Sequence, residues 1–443
     1  MLETGVTPTE VDVLVVGAGP AGLTAAARLR ELGVSGVVVL DREPQPGGLP
    51  AQCEHAGFGL WAFKRLMRGR DFAARLIQRA ERASVSIYTA TTVLSISPQR
   101  EVHAVSPNGL ERYRARALVL ATGCRELPRS TLTVAGSRPA GVFNTGVVQR
   151  LHTFFHAAPG REVVIIGSDD MSLMATQSLS ELGARVRAVV EERPYRLGYL
   201  GLEWLTLRPR RIPLLIRHRV QEIKGRDRVS GIVIAPMDVR GAPKGEPFTI
   251  PCDTVIFSGE FFPENTLARE AGIPLDEHTH GPLVDQNFET EVRGVFACGN
   301  LIHAADAADH ALQDGEQTAE AVFQYLQAES AEPNTIQPIG AGDGVYAVVP
   351  QYLRWYDSHC KPTRLAVRVD HAQWGVRVHA RVPEREWGRG YALVAKPHRS
   401  IYLRISPRAP ARAPLSVSAH GRPIVPEYLR ATEWRAVDKH EPK

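Results

Sequence analysis

Residues 17–22, Gly-Ala-Gly-Pro-Ala-Gly, have the types and spacing of a turn that holds a pyrophosphate. Gly17 allows the tight turn, Gly19 lets the backbone approach the phosphates, and Gly22 permits close packing of helix on strand. The helix that follows directs its positive N-terminus at the phosphates. Asp41 ends the next apolar segment, where a carboxylate accepts hydrogen bonds from ribose hydroxyls. The order of these features predicts a bound dinucleotide.

A second segment, residues 163–174, repeats the apolar strand but not the glycines. Gly167 lies 150 positions after the first glycine of the first turn. Asp169 and Ser172 replace the second and third glycines, whereas Glu191 takes the place of the ribose-binding acid. The fold of a second dinucleotide domain is therefore expected, with a spoiled phosphate cradle.

The electrostatic cost of placing a phosphate beside Asp169 follows from Coulomb's law. A carboxylate about 4 Å from one phosphate charge opposes binding by about 4 kcal/mol at an effective dielectric of 20. This is a factor of about a thousand in affinity. Two escapes stay open: Asp169 rotates toward solvent or a basic neighbour, or the cofactor sits higher in the cleft. We favour a vestigial or structural second domain, with NADH binding as the alternative and Glu191 favouring NAD over NADP.

Residues that could handle protons or form adducts follow the pair Gly47-Gly48. His55 is the candidate acid or base, because imidazole titrates near neutral pH. Its alternative role is to secure the backbone of a glycine-rich loop. Cys53 could form an adduct, but no second cysteine is within sequence reach to resolve it, and a packed thiol is the alternative.

Composition narrows the class of protein. The chain has 443 residues, of which 44% are hydrophobic and 23% charged, as in ordinary globular proteins of two to four domains. The net charge is +5, but basic and acidic residues are interleaved, and no recognition motif favours nucleic-acid binding.

The five cysteines are far apart and form no Cys-x-x-Cys pair. A dithiol active site, a cysteine-bound iron–sulfur cluster and a structural zinc site are therefore not expected. Scattered thiols fit a reducing compartment, and neither a signal pattern nor an apolar run long enough to cross a bilayer is present. We expect a cytoplasmic protein that is not an integral membrane protein.

The elements that must position these residues alternate between apolar strands and helices. Residues 11–16 form a short apolar run typical of a buried parallel strand, and a helix runs from the glycine turn to about Leu32, before Gly33. We predict an α/β fold with two Rossmann-like dinucleotide-binding domains, the second inserted in the first, and a small C-terminal β-rich domain.

Four motifs in order resemble those of FAD-dependent oxidoreductases with two dinucleotide-binding domains, the pyridine nucleotide-disulfide oxidoreductase-like superfamily. They are the glycine turn with the later Gly-Gly pair, ARALVLATG, CDTVIFSGEFFPENTL and TEVRGVFACGN. The resemblance covers about residues 11–330 and implies that the cofactor is FAD. Asn300 stands where an aspartate is usual, and an amide can still bond a hydroxyl. We therefore expect FAD to contact Gly17, Gly19, Pro20, Ala21, Gly22, Asp41, Arg42, Gly47, Gly48, Leu49, Val93, Ala121, Thr122, Gly123, Gly299, Asn300, Asp309 and Gly315.

The segments GGLPAQCEHAGFG, ATGCRELPR and LIHAADAADHALQDGE resemble flavoprotein subunits of heteromeric dehydrogenases of the glycerol-3-phosphate, amine, opine and sarcosine type. The resemblance implies partners, a second flavoprotein or an iron–sulfur protein, and a small polar substrate. It also implies a helix through Gln317 whose N-terminus faces the flavin pyrimidine. Asp309 and Asp314 then read as helix-start residues, and His303 and His310 lack the partners of a metal site.

We predict an FAD-binding domain split between residues 1–145 and 255–330, a degenerate NAD(P)-binding-like domain at 146–254, a linker at 331–344 and a β-rich docking domain at 345–443. The leading hypothesis is the FAD-binding electron-transfer subunit of a multi-component dehydrogenase. The alternatives are a self-contained NADH-dependent flavoprotein reductase and a scaffold with structural FAD. The sequence identifies neither the substrate nor the electron acceptor.

Overall fold

The computed structural model describes residues 7–127, 134–238, 240–259, 261–304, 307–327, 333–356, 362–383, 385–406 and 413–424. It is a mixed α/β structure with Rossmann-like sheets and a β-rich C-terminal region, which confirms the predicted fold class. Where the structure describes them, residues 7–125, 262–370 and 375–420 form one unit, and residues 126–261, 371–374 and 421–424 form another.

The first part of the chain contains the predicted strand, turn and helix. Its elements are β1 (Thr9–Val16), α1 (Pro20–Glu31), β2 (Val37–Leu40), β3 (Ala56–Phe58), β4 (Met67–Arg68), α2 (Gly69–Arg82), β5 (Ser86–Tyr88), β6 (Thr92–Ile96), β7 (Glu101–Ser106), β8 (Gly109–Leu120) and β9 (Cys124–Glu126). The apolar end of β1 is fully buried, as expected for a central parallel strand.

One sheet of the first unit has the strand order β5-β2-β1-β8-β7-β6. Strands β5, β2, β1 and β8 run parallel, whereas β6 and β7 form an antiparallel meander on β8. Val16 at the end of β1 is in register with Leu40 on β2 and Leu120 on β8. The carboxyl ends of these strands therefore meet at one edge, where such sheets bind ligands.

The second unit repeats this plan. Its elements are β10 (Ala135–Gly136), β11 (Val142–Asn144), α3 (Thr145–Arg150), β12 (Glu162–Ile166), α4 (Asp170–Glu181), β13 (Arg185–Glu191), α5 (Leu200–Thr206), β14 (Leu214–Ile216), β15 (His218–Gly225), β16 (Val229–Pro236), β17 (Phe248–Ile250) and β18 (Thr254–Phe257). A parallel sheet has the order β11-β18-β12-β13-β14, and β10-β15-β16-β17 form a second sheet.

The chain then returns to the first unit through β19 (Phe261–Pro263), α6 (Thr266–Glu270), β20 (Val295–Ala297) and α7 (Ala308–Gln327). Strand β20 adds to β8 in parallel. Helix α7 begins at Ala308, so Asp309 lies in its first turn, whereas Asp314, also predicted as a helix-start residue, lies inside the helix. The buried residues Ala311 and Leu312 continue the apolar face of the helix toward its start, which explains why the helix begins before Asp314.

The C-terminal strands are β21 (Thr335–Ala341), β22 (Val345–Val349), β23 (Tyr352–Trp355), β24 (Thr363–Val369), β25 (Gln373–Val382), β26 (Arg385–Ala395), β27 (Ile401–Ile405) and β28 (Leu415–Pro423). They form sheets of order β23-β21-β28-β25-β26 and β22-β24-β27. Strand β21 lies within the predicted linker, because its pairing with β23 and β28 outweighs the turn-like composition. Among the described residues, no helix combines the length and apolarity needed to span a membrane.

Candidate nucleotide sites

The first glycine turn has room for glycine alone at two positions. Gly17 has φ +107°, and a Cβ atom there would lie 2.5 Å from the carbonyl oxygen of Ala121. A Cβ at Gly22 would lie 1.9 Å from the carbonyl oxygen of Gly17. The amide of Gly17 also donates to Leu40 O at 2.8 Å, which ties the turn to β2. Strand β1, the turn and helix α1 therefore pack through direct backbone contacts that leave no room for side chains at these two glycines.

The N-terminus of α1 is open. Gly19 is its N-cap in an extended conformation, and no side chain in the described part of the protein caps the helix amides. A Cβ added at Gly19 would meet no atom within 4 Å. Free amides and the positive end of the helix dipole face this space, which fits the pyrophosphate of a dinucleotide.

Asp41 lies beside the turn, as the ribose-binding role requires. Its carboxylate accepts hydrogen bonds from the amides of Ala18 at 2.5 Å and Glu43 at 2.8 Å. Partial burial raises the pKa of Asp41 above its usual value. Each carboxylate oxygen has a further lone pair, so the group can still accept from a hydroxyl.

The glycine pair after β2 packs on the same turn. The amide of Gly47 donates to Ala18 O at 2.8 Å. Gly48 has φ +62°, and a Cβ there would lie 2.9 Å from the Cα of Gly19. The pair is followed by a turn of 3-10 helix, whose first residue, Leu49, is 47% exposed.

Helix α7 packs directly on α1. A Cβ at Gly315 would lie 2.4 Å from Ala21 O, and one at Gly299 would lie 2.8 Å from the Cβ of Ala21. Asn300 follows in a turn of 3-10 helix formed by Gly299–Leu301. Predicted contact residues on five separate segments thus converge around the carboxyl end of β1.

The other predicted contact residues lie as follows. Thr122 donates through Oγ1 to Glu264 O at 2.8 Å, and Gly123 has φ +72°. Val93 lies on β6, at the far edge of the sheet, and Arg42 is exposed after β2. The positions of these four residues do not by themselves identify their roles, so their contacts with FAD stay predictions.

Asp309 does more than begin a helix. Its buried carboxylate accepts three backbone hydrogen bonds, from Gly59 at 2.9 Å, Trp61 at 3.0 Å and Ala62 at 2.8 Å. It therefore fixes the loop between β3 and β4 against the N-terminus of α7. The sequence interpretation of Asp309 missed this role, since its partners lie about 250 positions away.

Asp314 is also engaged in long-range pairing rather than in helix capping. Its carboxylate lies 2.9 Å from Nε2 of His303 and 2.5 Å from a guanidinium nitrogen of Arg364 on β24. Asp314 is fully buried and His303 nearly so. Within the described ranges, no group of His, Cys, Asp and Glu side chains could hold a metal ion.

The second turn keeps the frame of the first. The amide of Gly167 donates to Val190 O at 2.8 Å, and the residue has φ +101°. A Cβ there would lie 2.5 Å from Ser258 O, at the end of β18. These values match those of the first turn, so the two differ in the next residues.

Asp169 occupies one backbone amide at the start of α4, that of Ser172. Its side chain is the N-cap of α4, and Oδ1 accepts from the amide of Ser172 at 2.8 Å and from Oγ of Ser258 at 2.6 Å. The side chain has therefore rotated neither toward solvent nor toward a base. Burial raises the pKa of Asp169, so the obstruction comes from occupied donors as well as from charge.

Glu191 is in the position of Asp41 but is sealed, being 1% exposed. Its Oε2 accepts from the amide of Ser168 at 3.1 Å and from the hydroxyl of Ser168 at 2.6 Å. Its Oε1 accepts from the amide of Arg193 at 2.9 Å. The two amides have counterparts at Asp41, whereas the Ser168 hydroxyl and the Arg193 guanidinium, at 3.4 Å, are additional donors in the place of ribose hydroxyls.

A cleft of about 130 Å³ opens beside this turn, with Glu126, Glu191, Glu192 and Arg193 among its lining residues. Burial raises the pKa of Glu126, and the neighbouring negative charge of Asp169 adds to the rise. Three acids against one base make the cleft unfavourable for a diphosphate.

The proposed reactive residues lie at the base of the loop between β3 and β4. His55 is buried, and its Nδ1 lies 3.1 Å from Ala56 O, which matches the backbone-securing alternative. Cys53 is buried, and its Sγ lies 3.4 Å from Leu49 O. Burial raises the pKa of the Cys53 thiol to about 12, so the thiol is neutral near pH 7.

Known proteins similar to this chain include redox enzymes. Residues 11–315 match the family model for pyridine nucleotide-disulphide oxidoreductases. A ferredoxin--NADP reductase of Salinispora tropica is 30% identical, over 66% of this chain and 86% of that protein. A subunit of opine oxidase from Agrobacterium tumefaciens is 28% identical over 65% of this chain, which spans 61% of that protein.

Among solved structures, thioredoxin reductase of T. acidophilum has a TM-score of 0.59 at 24% identity, covering 71% of this chain and 98% of that one. This likeness supports the fold. Since the family model covers more than half of the sequence, the chain belongs to the pyridine nucleotide-disulphide oxidoreductase family of FAD- and NAD(P)-binding redox enzymes.

Proposed function

We propose that this chain is the FAD-binding electron-transfer subunit of a multi-component dehydrogenase that oxidises a small polar metabolite. One observation carries the proposal. No side chain caps the amides at the start of α1, whereas at the start of α4 the carboxylate of Asp169 caps the amide of Ser172. A chain with one usable dinucleotide site would exchange electrons with something other than a pyridine nucleotide, and we propose that a partner protein takes this part.

The residues at the first turn fit FAD. Gly17, Gly19 and Gly22 would hold the pyrophosphate at the start of α1, and Asp41 would hold the ribose. Residues 299–300 and the start of α7 would lie along the ribityl chain and the ring. When bound, FAD supplies hydride and single-electron chemistry. The protein's part is to bind and orient the cofactor and to exclude water.

The names of two relatives support the subunit role. One is a subunit of opine oxidase and the other a putative small chain of glutamate synthase, so each is by name one part of a larger enzyme. His55 is the proposed acid or base for the substrate, through its place after Gly47-Gly48. We further propose that the second unit serves as structure, and that the protein works in the cytoplasm.

A self-contained reductase is the second candidate. It is favoured by the relative named ferredoxin--NADP reductase, most of whose length this chain covers. That function requires a nicotinamide dinucleotide in the second unit. The capped α4, the sealed Glu191 and the acidic cleft all oppose it.

Anaerobic titration of the purified chain with NADH and with NADPH tests the two candidates. We expect stoichiometric bound FAD whose absorbance at its visible maximum is unchanged by either nucleotide. Copurification from the native source should then identify partner chains with redox centres, and the metabolite should bleach the flavin in that complex.

Two results would contradict the proposal. Bleaching by NADH within seconds in the isolated chain would make it a self-contained reductase. Bound FAD that no donor reduces, even with every partner chain present, would make it a scaffold.

A further inference from the structure

The loop between β3 and β4, with those strands, forms an exposed hairpin of residues 56–68. Leu60, Trp61 and Leu66 are 48%, 59% and 57% exposed, an unusual concentration of large apolar side chains on one short segment. Among its residues, Lys64, Arg65 and Arg68 are basic and exposed, and none is acidic. The surface therefore combines apolar anchors with positive charge.

The hairpin is held rigidly from below. Phe72 is fully buried under it, with its ring centroid 5.6 Å from that of Phe63 and 6.0 Å from that of Phe58. The Asp309 carboxylate also holds the amides of residues 59, 61 and 62. Such preorganisation lowers the entropic cost of binding a partner.

The hydrogen bonds from the hairpin amides to Asp309 also fix the position of the hairpin relative to α7. Asp309 is in the first turn of α7, the turn that faces the flavin ring in the proposed function. A protein seated on this surface would be next to the cofactor. Charge complementarity requires that protein to be acidic, and the apolar anchors require an apolar recess at its centre. A second copy of this chain is disfavoured, because two such surfaces would repel each other.

We propose that the hairpin of residues 56–68 is the docking surface for an acidic redox protein, with Asp309 as the residue that positions it. This inference rests on the proposed function for the location of the flavin. Interfaces of electron-transfer proteins are small and transient, so the affinity should be modest and sensitive to salt.

The probe is an acidic [2Fe–2S] ferredoxin, titrated calorimetrically into the full chain at ionic strengths of about 0.02 M and about 0.5 M, where screening differs severalfold. We expect binding at low salt that weakens at least about tenfold at high salt. The double variant K64E/R65E should lose about tenfold or more at low salt, and W61A about tenfold at either ionic strength.

The second unit supplies matched controls. Trp204 on α5 is 60% exposed, about as much as Trp61, and Arg208 and Arg211 are exposed beyond it. The variants W204A and R208E/R211E thus remove a tryptophan and reverse two basic residues elsewhere, with the same change in net charge. Both should bind the ferredoxin within about twofold of the wild type.

A third variant tests the positioning role. D309A keeps every apolar and basic side chain of the hairpin but removes the acceptor of three amides. We expect faster hydrogen exchange at Gly59, Trp61 and Ala62 and about tenfold weaker ferredoxin binding. Unchanged binding with accelerated exchange would remove Asp309 from the proposal.

Other outcomes overturn the docking surface itself. These are absence of ferredoxin binding to the wild type at low salt, equal losses in the control variants, or Trp61-dependent cosedimentation with phosphatidylglycerol vesicles in place of ferredoxin binding. Since binding is measured without turnover, bleaching by NADH would sink the proposed function and leave this result standing.

Discussion

Asp169 separates two explanations of how the second turn would exclude a nucleotide, as we propose it does. A charged carboxylate would repel phosphate through space, whereas the observed one also occupies the Ser172 amide and the Ser258 hydroxyl. Its raised pKa weakens the purely electrostatic explanation. Occupation of these two donors by Asp169 would oppose nucleotide binding whatever the protonation state of the carboxyl group.

Two substitutions at this residue distinguish charge from occupancy. D169N removes the charge and keeps an acceptor for Ser172, so we expect NADH binding to remain undetectable. D169G frees the amide, and NADH affinity should rise at least about tenfold, since one recovered hydrogen bond to a charged group contributes about 1.5–3 kcal/mol. Equilibrium dialysis with NADH measures both. Equal gains in the two variants would show that charge alone closes the site.

A buried charge cluster makes stability depend on pH. Arg354 faces Glu289 at 2.6 Å and Asp285 at 3.5 Å, and Arg293 also pairs with Glu289. Burial raises the pKa of Asp285 to about 7, and the charge of Glu289 adds to the rise, whereas Arg354 lowers it. Folding therefore takes up a proton between the ordinary aspartate pKa and about 7.

The sign follows from that uptake. The contribution of Asp285 to stability is complete below pH 4 and is lost as the pH rises to about 7, with a slope of up to about 1.4 kcal/mol per pH unit. D285N should flatten the dependence of the urea midpoint between pH 5 and pH 7. The same slope in D285N and wild type would contradict this assignment.

The positions of residues in the fold were predictable from the sequence where a local pattern determines them. The glycines at positions 17, 19 and 22 and the acids at 41 and 191 follow from spacing along single βα units. The pairing of Asp309 with residues 59–62 and of Asp314 with Arg364 has no such signal, because tertiary contacts across about fifty positions or more create it.

At the scale of elements, the close contact between α1 and α7 depends on Gly315, which has no side chain. Gly315 leaves 2.4 Å between a would-be Cβ and Ala21 O, so G315A must separate the helices. We expect it to lower the free energy of unfolding by about 1–3 kcal/mol and to reduce the FAD content. Urea unfolding and flavin absorbance measure these two effects.

Gly201 on α5 provides the comparison. It is exposed, and a Cβ there would meet no atom within 4 Å. G201A should stabilise its helix by up to about 1 kcal/mol and leave the FAD content unchanged. Equal losses of unfolding free energy and of FAD content in G315A and G201A would contradict a specific requirement for glycine at position 315.

The elements themselves were predictable to different degrees. Strand β1, helix α1 and strand β12 of the second parallel sheet follow from apolar runs and turn residues. The strand β21 was not anticipated, because polar, proline and glycine residues suggested a linker there. Tertiary burial and strand pairing override such local preferences.

At the scale of the whole molecule, the C-terminal strands are part of the first unit rather than an isolated module. Arg364 on β24 reaches the buried Asp314, and its guanidinium carbon lies 4.6 Å from the ring centroid of Tyr402 on β27. The ring centroid of Tyr402 is 4.3 Å from that of His310 at the start of α7. The sequence of this region suggested docking, and these long-range contacts leave no local pattern that would predict them.

Removal of Arg364 tests whether these strands support α7. R364A leaves the buried Asp314 with one fewer cation, and we expect a loss of about 2 kcal/mol in unfolding free energy, discounted for the partial exposure of Arg364. R404A, an exposed arginine in register with Arg364, is the control and should change little. Thermal unfolding compares them. Similar melting temperatures for all three proteins would contradict the supporting role.

The hydroxyl of Ser168 rests on Glu191 much as a sugar hydroxyl rests on an acid in a loaded site. The second turn thus has a donor of the protein itself on its acid, and the first turn has no such side-chain donor on Asp41 among the described residues. When FAD binds at the first turn, as we propose, the resistance of the first unit to unfolding should grow with the concentration of free FAD. The resistance of the second unit to unfolding should not depend on that concentration.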